Sequence, residues 1–493
     1  MNLRLLSKVL GLLLSLESLA LVACALFAVY DDGLRSSASG ALFFAALTAL
    51  LIGLFMVYLG RGKFDRVPRR EGVMIVGFAW LVSGLIGAVP FVLAEPGLTW
   101  PEAFFESLSG LTTTGSTVIT DLEAWPRAIL LWRSVSQFLG GLGILVLFVA
   151  LLATLGAGTK SLFRNESSFQ ASEVSHAKIR DTAILLWRIY LGLTVVCILG
   201  LKVLGMNWLD AISHGLTCVS TGGFSTRNES VGYYSGWETG LAIEMWIILF
   251  MILGSLSFLV YVVLLRRNWQ RFRREEEGKW YLILIAAAVL VITALRWGME
   301  GDDAGASLRG VIFTVVSIIS STGYGTVDFE VWPVSTHFVL MGLMLVGGCA
   351  GSTAGGMKVS RLLLLMRSAH QEIVQAFRPN QIFRMQVNGN SIDDRGRAQT
   401  ILFVALFFLL ALFSMLVVSI LEARHGLDFE TLVSCVVTTL GNTGPGFGEV
   451  GPTDNFAELR QGTLVYLGLL MVMGRLELFA FLVLFVPAAW RKY

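Results

Sequence analysis

The chain has 493 residues, of which 55% are hydrophobic and 15% charged, and its mean hydropathy is +0.72. That composition excludes an ordinary soluble domain and indicates a polytopic membrane protein, which the long apolar runs below make an all-α one. A net charge of +2 excludes a general affinity for nucleic acid. Five scattered cysteines and five dispersed histidines supply no zinc site, disulfide framework or catalytic triad, so no enzyme is expected.

A span needs roughly 20 apolar residues to cross the hydrocarbon. Ten such runs are expected, at 9–30, 41–60, 72–94, 128–155, 182–205, 238–265, 280–297, 335–366, 398–422 and 462–489. Arg4 and Lys8 precede the first, which lacks a small-residue cleavage site and reads as a retained helix rather than a removed signal. Lys and Arg set orientation: the termini and segments 61–70, 156–181, 266–279 and 366–397 carry 24 of them, the alternate segments five. Both termini are therefore expected in the cytoplasm, and the basic run 266–279 reads as a positive-inside anchor. Cys24, Cys197, Cys218, Cys349 and Cys435 sit in apolar or small-residue contexts and read as packing residues.

The last eight spans form four pairs, and each pair brackets a Thr-Gly loop. These loops are Thr113-Thr114-Gly115, Ser220-Thr221-Gly222, Ser321-Thr322-Gly323 and Asn442-Thr443-Gly444, with the glycines 107, 101 and 121 residues apart. Repetition of this kind implies four helix, re-entrant loop, helix units in one chain. The third loop continues through Tyr324 and Gly325, and its S-T-G-Y-G core is close to the T-V-G-Y-G filter of potassium channels, where backbone carbonyls replace an ion's hydration shell. Ahead of the loops lie short helical stretches with starts at Thr99 to Glu102, Asn207 to Asp210, Ser307 and Asp428. Thr99 with Glu102 fits a capping box. At ten to twelve residues they are too short to span, and their C-terminal ends aim the negative end of the helix dipole at the loops. The segments that carry the loops hold 17 Asp and Glu, Glu102, Glu106, Asp121, Asp302, Asp303, Asp328, Glu449 and Asp454 among them, against four Arg. Such a surface concentrates cations at a mouth.

With these motifs, the stretch from Trp132 and Arg133 through Gly140, Gly141 and Ile144, the run 347–358 and the sequence Gly474-Arg475-Leu476-Glu477, the chain resembles the Trk/Ktr/HKT superfamily of cation transporters. The resemblance covers nearly the whole chain and is strongest to the bacterial Trk-type potassium uptake subunit with two extra N-terminal helices. It implies four M1-P-M2 repeats in pseudo-fourfold symmetry, at 71–165, 166–278, 279–390 and 391–493, after two extra helices in 1–70. It also implies potassium as the ion carried, the four Thr-Gly loops as its filter, a homodimer in the bacterial inner membrane, and a cytoplasmic nucleotide-binding ring (TrkA-like) that gates the pore. In plant relatives that favour sodium the first-loop glycine is typically serine; here it is Gly115, aligned on Gly222, Gly323 and Gly444. Ser116 and Pro445 depart from the residue that follows the pair in the third loop, so the four walls are unequal.

The run Gly347-Gly348-Cys349-Ala350-Gly351-Ser352-Thr353-Ala354-Gly355-Gly356, ahead of Lys358, interrupts the eighth span. Each helical Gly costs roughly 0.8–1.0 kcal/mol relative to Ala, so the helix should break there. In the family this break is an intramembrane gate. Arg475, mid-span in the tenth helix, needs a partner, and loop carbonyls are better placed than Glu477. Glu17, Arg133 and Glu244 read as helix-packing or interfacial charges. No G-x-x-x-x-G-K-[ST] occurs, so nucleotide control belongs to a separate protein. A sodium- or proton-coupled cation symporter of the same fold stays open, as does an ion-coupled carrier of another solute, although that class predicts inverted repeats.

Overall fold

A computed structural model describes residues 2–62, 69–143, 176–300, 304–381, 386–388, 390–487 and 490 of the chain. Among these, six helices are long and apolar enough to cross a membrane, or seven if one bent pair counts as a span.

Two long helices, α1 (Leu3–Asp32) and α2 (Ser37–Leu59), form an antiparallel hairpin. A methyl on Gly11 would stand 2.5 Å from the Gly53 carbonyl oxygen, and one on Gly60 2.5 Å from the Lys8 nitrogen, so the backbones touch where side chains are missing. Four units follow, each a first helix, a short helix, a loop and a second helix. The first helices are α3 (Arg69–Leu93), α6 (His176–Val203), α10 (Glu277–Glu300) and α14 (Asp394–Leu421). The short helices are α4 (Trp100–Leu111), α7 (Trp208–Val219), α11 (Ala304–Ile319) and α15 (Phe429–Gly441). Their starts follow from local chemistry. The Glu102 carboxylate accepts the Thr99 N–H at 2.9 Å, Asn207 Oδ1 the Asp210 N–H at 2.8 Å and Asp428 Oδ1 the Thr431 N–H at 2.9 Å. The third short helix has 16 residues and begins before Ser307, so Ser307 is inside it rather than at its cap.

The second helices depart most from the expectation of continuous spans. They are α5 (Arg127–Phe138), α8 (Gly240–Ser255), α12 (Val334–Val346) and α16 (Gln461–Arg475), all shorter than the roughly 20 residues a crossing needs. Helix α5 runs into a π-turn at Leu139–Gly143, and the rest of the expected span at 128–155 lies outside the described residues. The expected span 238–265 bends by 89° at Leu256 and Ser257 into α9 (Phe258–Leu265). The expected span 462–489 breaks after Arg475, where Glu477 and Leu478 have φ of 54° and 60°. Only the break in 335–366 was expected; beyond it the chain resumes as α13 (Val359–Phe377). Among the described residues the strands are two of two residues each, β1 (Gln386–Val387) paired antiparallel with β2 (Asn390–Ser391) in a hairpin. The basic residues of 156–175 and Asp302 and Asp303 lie outside the described residues.

Packing confirms most of the charge and cysteine readings. All five cysteines are buried. Glu17 is buried in α1, and Glu244 pairs with Arg309 at 2.8 Å. Arg133 is 1% exposed and donates through Nε to Glu106 Oε1 at 2.7 Å, through Nη1 to Ser225 O at 3.1 Å and through Nη2 to Thr117 Oγ1 at 3.2 Å. Glu106 is therefore not one of the solvated acids at the mouth: it is fully buried and holds Arg133, which ties the first loop to the second. Removing one member of such a pair strands the other, at a cost of about 3–5 kcal/mol. Arg133→Met is expected to lower the thermal unfolding midpoint of the purified protein sharply, and the double change Arg133→Met with Glu106→Gln to lower it less.

Candidate functional site

The four Thr-Gly loops are built on one backbone plan. Within two residues past each short helix stands a residue with φ near 55°: Thr113 (55°), Thr221 (54°), Ser321 (55°) and Asn442 (54°). The next N–H turns back to a helix carbonyl five residues earlier, Thr114 to Ser109 at 2.9 Å, Gly222 to Thr217 at 2.8 Å, Thr322 to Ser317 at 2.9 Å and Thr443 to Thr438 at 2.9 Å. A glycine with positive φ then follows: Gly115 (88°), Gly223 (77°), Gly323 (78°) and Gly444 (106°).

This corrects the register in the second loop. Gly223, not Gly222, is the counterpart of Gly115, Gly323 and Gly444, and Gly222 takes the place of Thr114, Thr322 and Thr443. The Gly-Gly pair hid the shift: with Gly222 in the place the other loops give to Thr, the Thr-Gly pattern falls one residue early, on Thr221-Gly222.

The loops meet in cyclic order. A methyl on Gly115 would stand 2.3 Å from the Gly222 carbonyl oxygen, and one on Gly223 1.7 Å from that of Thr322. One on Gly323 would stand 2.2 Å from the Thr443 oxygen, and one on Gly444 2.9 Å from that of Thr114, which closes the ring. Side chains brace it from outside. Gln137 Nε2 donates to Gly222 O at 2.6 Å while its Oε1 accepts the Phe224 N–H at 3.1 Å. Asn442 Nδ2 donates to Thr114 Oγ1 at 2.9 Å, Ser116 Oγ to Gly444 O at 2.8 Å and Tyr324 OH to His214 O at 3.2 Å. Beyond the third loop, burial lifts the Glu330 carboxyl to about 7, with Asp328, Asp454 and Glu430 adding to the rise. The acidic face there is accordingly less charged at neutral pH than its carboxylate count suggests.

The glycine-rich segment 347–358 lies against the second, third and fourth loops or the helices that carry them, and reaches the wall after the first loop through Arg475. Thr353 Oγ1 is 3.0 Å from the carbonyl oxygens of both Val219 and Gly254 and 3.3 Å from Thr221 Oγ1. The Gly355 N–H donates to Ser321 Oγ at 2.6 Å, and a methyl on Gly355 would stand 2.2 Å from Gly441 O. Arg475 completes the contact: Nη1 donates to Thr353 O at 2.7 Å, and Nη2 to Gly140 O at 3.2 Å and Gly141 O at 3.3 Å, in the π-turn after the first loop. Glu477 pairs instead with Arg361, and the Lys358 ammonium turns back on Ala354 O. Gly347 (φ 70°), Gly351 (72°) and Gly356 (76°) supply turns that an L side chain resists, and Gly348 and Ser352 sit among them.

Two residues were missed. Gln137 carried a signal, being an amide inside an apolar run. Glu277 carried none: it stands in the acidic triplet Glu275-Glu276-Glu277 at the edge of a basic segment, yet it is buried and its Oε1 accepts from Ala350 N at 2.7 Å and Ser360 N at 2.9 Å.

Known proteins share this architecture. Residues 61–492 match a family model described as TrkH, cation transport protein. The chain is 36% identical to the Trk system potassium uptake protein TrkH of Halomonas elongata and 34% identical to that of Escherichia coli K12, each alignment covering 100% of both chains. It superposes on the crystal structure of the potassium transporter TrkH from Vibrio parahaemolyticus with a TM-score of 0.88, at 30% identity and over 100% of both chains.

The register can be tested on stability alone. At Gly222 an added methyl meets the end of the Gln137 side chain, whose displacement costs two hydrogen bonds, whereas at Gly223 it meets a backbone carbonyl oxygen at 1.7 Å and an unfavourable φ. Gly223→Ala is expected to lower the melting temperature clearly more than Gly222→Ala.

Proposed function

This chain belongs to the TrkH family of cation transport proteins, a family of transporters and not enzymes, and from that membership we propose that it carries potassium into a bacterial cell through a filter made by its four Thr-Gly loops. The observation that carries this reading is the closed ring of main-chain contacts among loops of one backbone conformation. Carbonyls so arrayed replace the waters of a dehydrating cation. Thr113, Thr114 and Gly115, Ser220, Thr221 and Gly222 with Gly223, Ser321, Thr322 and Gly323, and Asn442, Thr443 and Gly444 line the path. Four short helices point their C-terminal ends at it, each worth roughly half a negative charge.

The units at 71–165, 166–278, 279–390 and 391–493 act as four M1-P-M2 repeats about a pseudo-fourfold axis, with 1–70 as an added pair of helices, ten crossings in all. Both termini face the cytoplasm of an inner-membrane protein. The segment 347–358 is the gate, and Arg475 holds it closed by donating to Thr353 O on the segment and to Gly140 and Gly141 O on the fixed wall. The chain works as a homodimer under a cytoplasmic nucleotide-binding ring of the TrkA kind, a need that follows from the absence of a phosphate-binding loop in the chain itself.

Expression in a potassium-uptake-deficient bacterium tests the function directly: growth at low potassium is expected, and its absence from a correctly inserted protein counts against it. Gly115→Ser and Gly323→Ser are expected to weaken potassium over sodium discrimination in liposome flux, because each crowds a carbonyl the ion must meet. Arg475→Ala is expected to raise flux several-fold without the cytoplasmic partner, with potassium preference intact. Slow flux in this variant, or a loss of selectivity at unchanged rate, would return 347–358 to a packing role.

A further inference from the structure

The gating segment is held from a second side. Glu277 is the first residue of α10, is 1% exposed, and places one carboxylate oxygen against two N–H groups that flank the segment's turns: Ala350 inside it and Ser360 in the first turn of α13. A single charged acceptor shared by both ends of a loop ties the loop to whatever carries the acceptor. Here the carrier is a 24-residue helix, so the anchor moves only as a rigid element moves.

The start of α10 is in turn held by the hairpin. Asn388 Oδ1 accepts the N–H groups of Glu276 at 2.9 Å and Glu277 at 3.1 Å, which caps the helix. Arg367 of α13 donates to Glu276 Oε2 at 2.9 Å and to Gln386 O, so hairpin, helix start and the helix beyond the gate are joined through one cluster. The cluster sits among the basic stretches at 266–279 and 366–397 that set the inner face.

We infer that Glu277 is a positioning residue for the gate, and that Asn388 of the hairpin sets where Glu277 stands, so that a cytoplasmic partner shifting the hairpin releases the segment at 347–358; this rests on the gating role proposed above. Two routes then hold the gate, Arg475 from the wall under the first loop and Glu277 from the inner end of α10. They differ in reach. Arg475 is bonded to parts of the transport path itself, whereas Glu277 connects the gate to a surface a soluble protein can touch.

Rubidium flux into liposomes containing the purified full chain, without a partner, decides the matter for Glu277→Ala, Glu277→Gln, Asn388→Ala and the double change Glu277→Ala with Asn388→Ala. Arg475→Ala serves as the reference. Glu277→Ala is expected to raise flux about tenfold, the order that loss of a charge-assisted hydrogen bond gives. Glu277→Gln, which keeps an acceptor oxygen, should raise it less. Asn388→Ala should raise it as well, the double variant should not exceed Glu277→Ala alone because both act through one contact, and potassium over sodium preference should be unchanged throughout. A rise with Arg475→Ala but none with Glu277→Ala would overturn the inference and leave the gate standing; no rise with either would remove the gate itself. Should Glu277→Ala fail to fold, Asn388→Ala decides alone: unchanged flux, or faster flux with lost potassium preference, overturns the lever.

Discussion

The structure turns on a steric constraint: four stretches of main chain approach one another so closely that none has room for a methyl group where they touch. That approach demands glycine at Gly115, Gly223, Gly323 and Gly444, and a left-handed turn two residues earlier at Thr113, Thr221, Ser321 and Asn442. Three of those turn residues are Thr or Ser, types that resist positive φ, and each such residue costs on the order of 1–3 kcal/mol. They hold because their surroundings leave no alternative. Each is pinned between a helix end and a backward N–H bond, and Gln137, Asn442 and the Arg133–Glu106 pair brace the loops from behind.

The same constraint explains why, among the described residues, every second helix is broken. Non-helical backbone at membrane depth survives only where protein supplies its hydrogen bonds. Helices that ran unbroken past the loops would keep their own carbonyls to themselves. Breaking them releases carbonyls at Gly140, Gly141, Gly254 and Ser255, and these receive Arg475, Thr353 and the Cys349 N–H. Loops and breaks therefore satisfy one another, and the segment at 347–358 is the extreme case, a helix that gives up twelve residues to lie against the second, third and fourth loops.

What could be read from the sequence was what local chemistry writes into it. Asn207 and Asp428 cap their helices as read, Thr99 and Glu102 pair, and five glycines in ten residues did stop a helix. Arg475 found loop carbonyls rather than Glu477, as the cost of a lone guanidinium in hydrocarbon required. What could not be read depended on neighbours distant in sequence. Residues 245–265 are apolar but for Ser255 and Ser257, and nothing in Leu256 or Ser257 announces an 89° bend, which is held by Phe258 N–H donating to Gly351 O nearly a hundred residues on. Glu106 was grouped with the acids at the mouth because its partner, Arg133, stands 27 residues away on another helix. The register of the second loop was hidden for a simpler reason: Gly222 stands where the other loops have Thr, so the Thr-Gly pattern picks Thr221-Gly222, and only φ shows that Gly223 is the ring glycine.

The four loops agree in backbone and differ in support, and the difference has a use. After the ring glycine stand Ser116, Phe224, Tyr324 and Pro445. Ser116 reaches across to Gly444 O, the Tyr324 hydroxyl anchors on His214 O, and Pro445 packs against Gly323. A ring of four identical chains would have to repeat any feature four times, so four copies of a glycine-rich segment would compete for the space that 347–358 fills alone. Joining the units in one chain frees each to carry a different load: the first and second share the Arg133–Glu106 brace, the third gives up its second helix, and the fourth supplies Arg475 to hold the segment so released. Sequence divergence among the units is thus what lets one segment, and one guanidinium, act on a path that all four build.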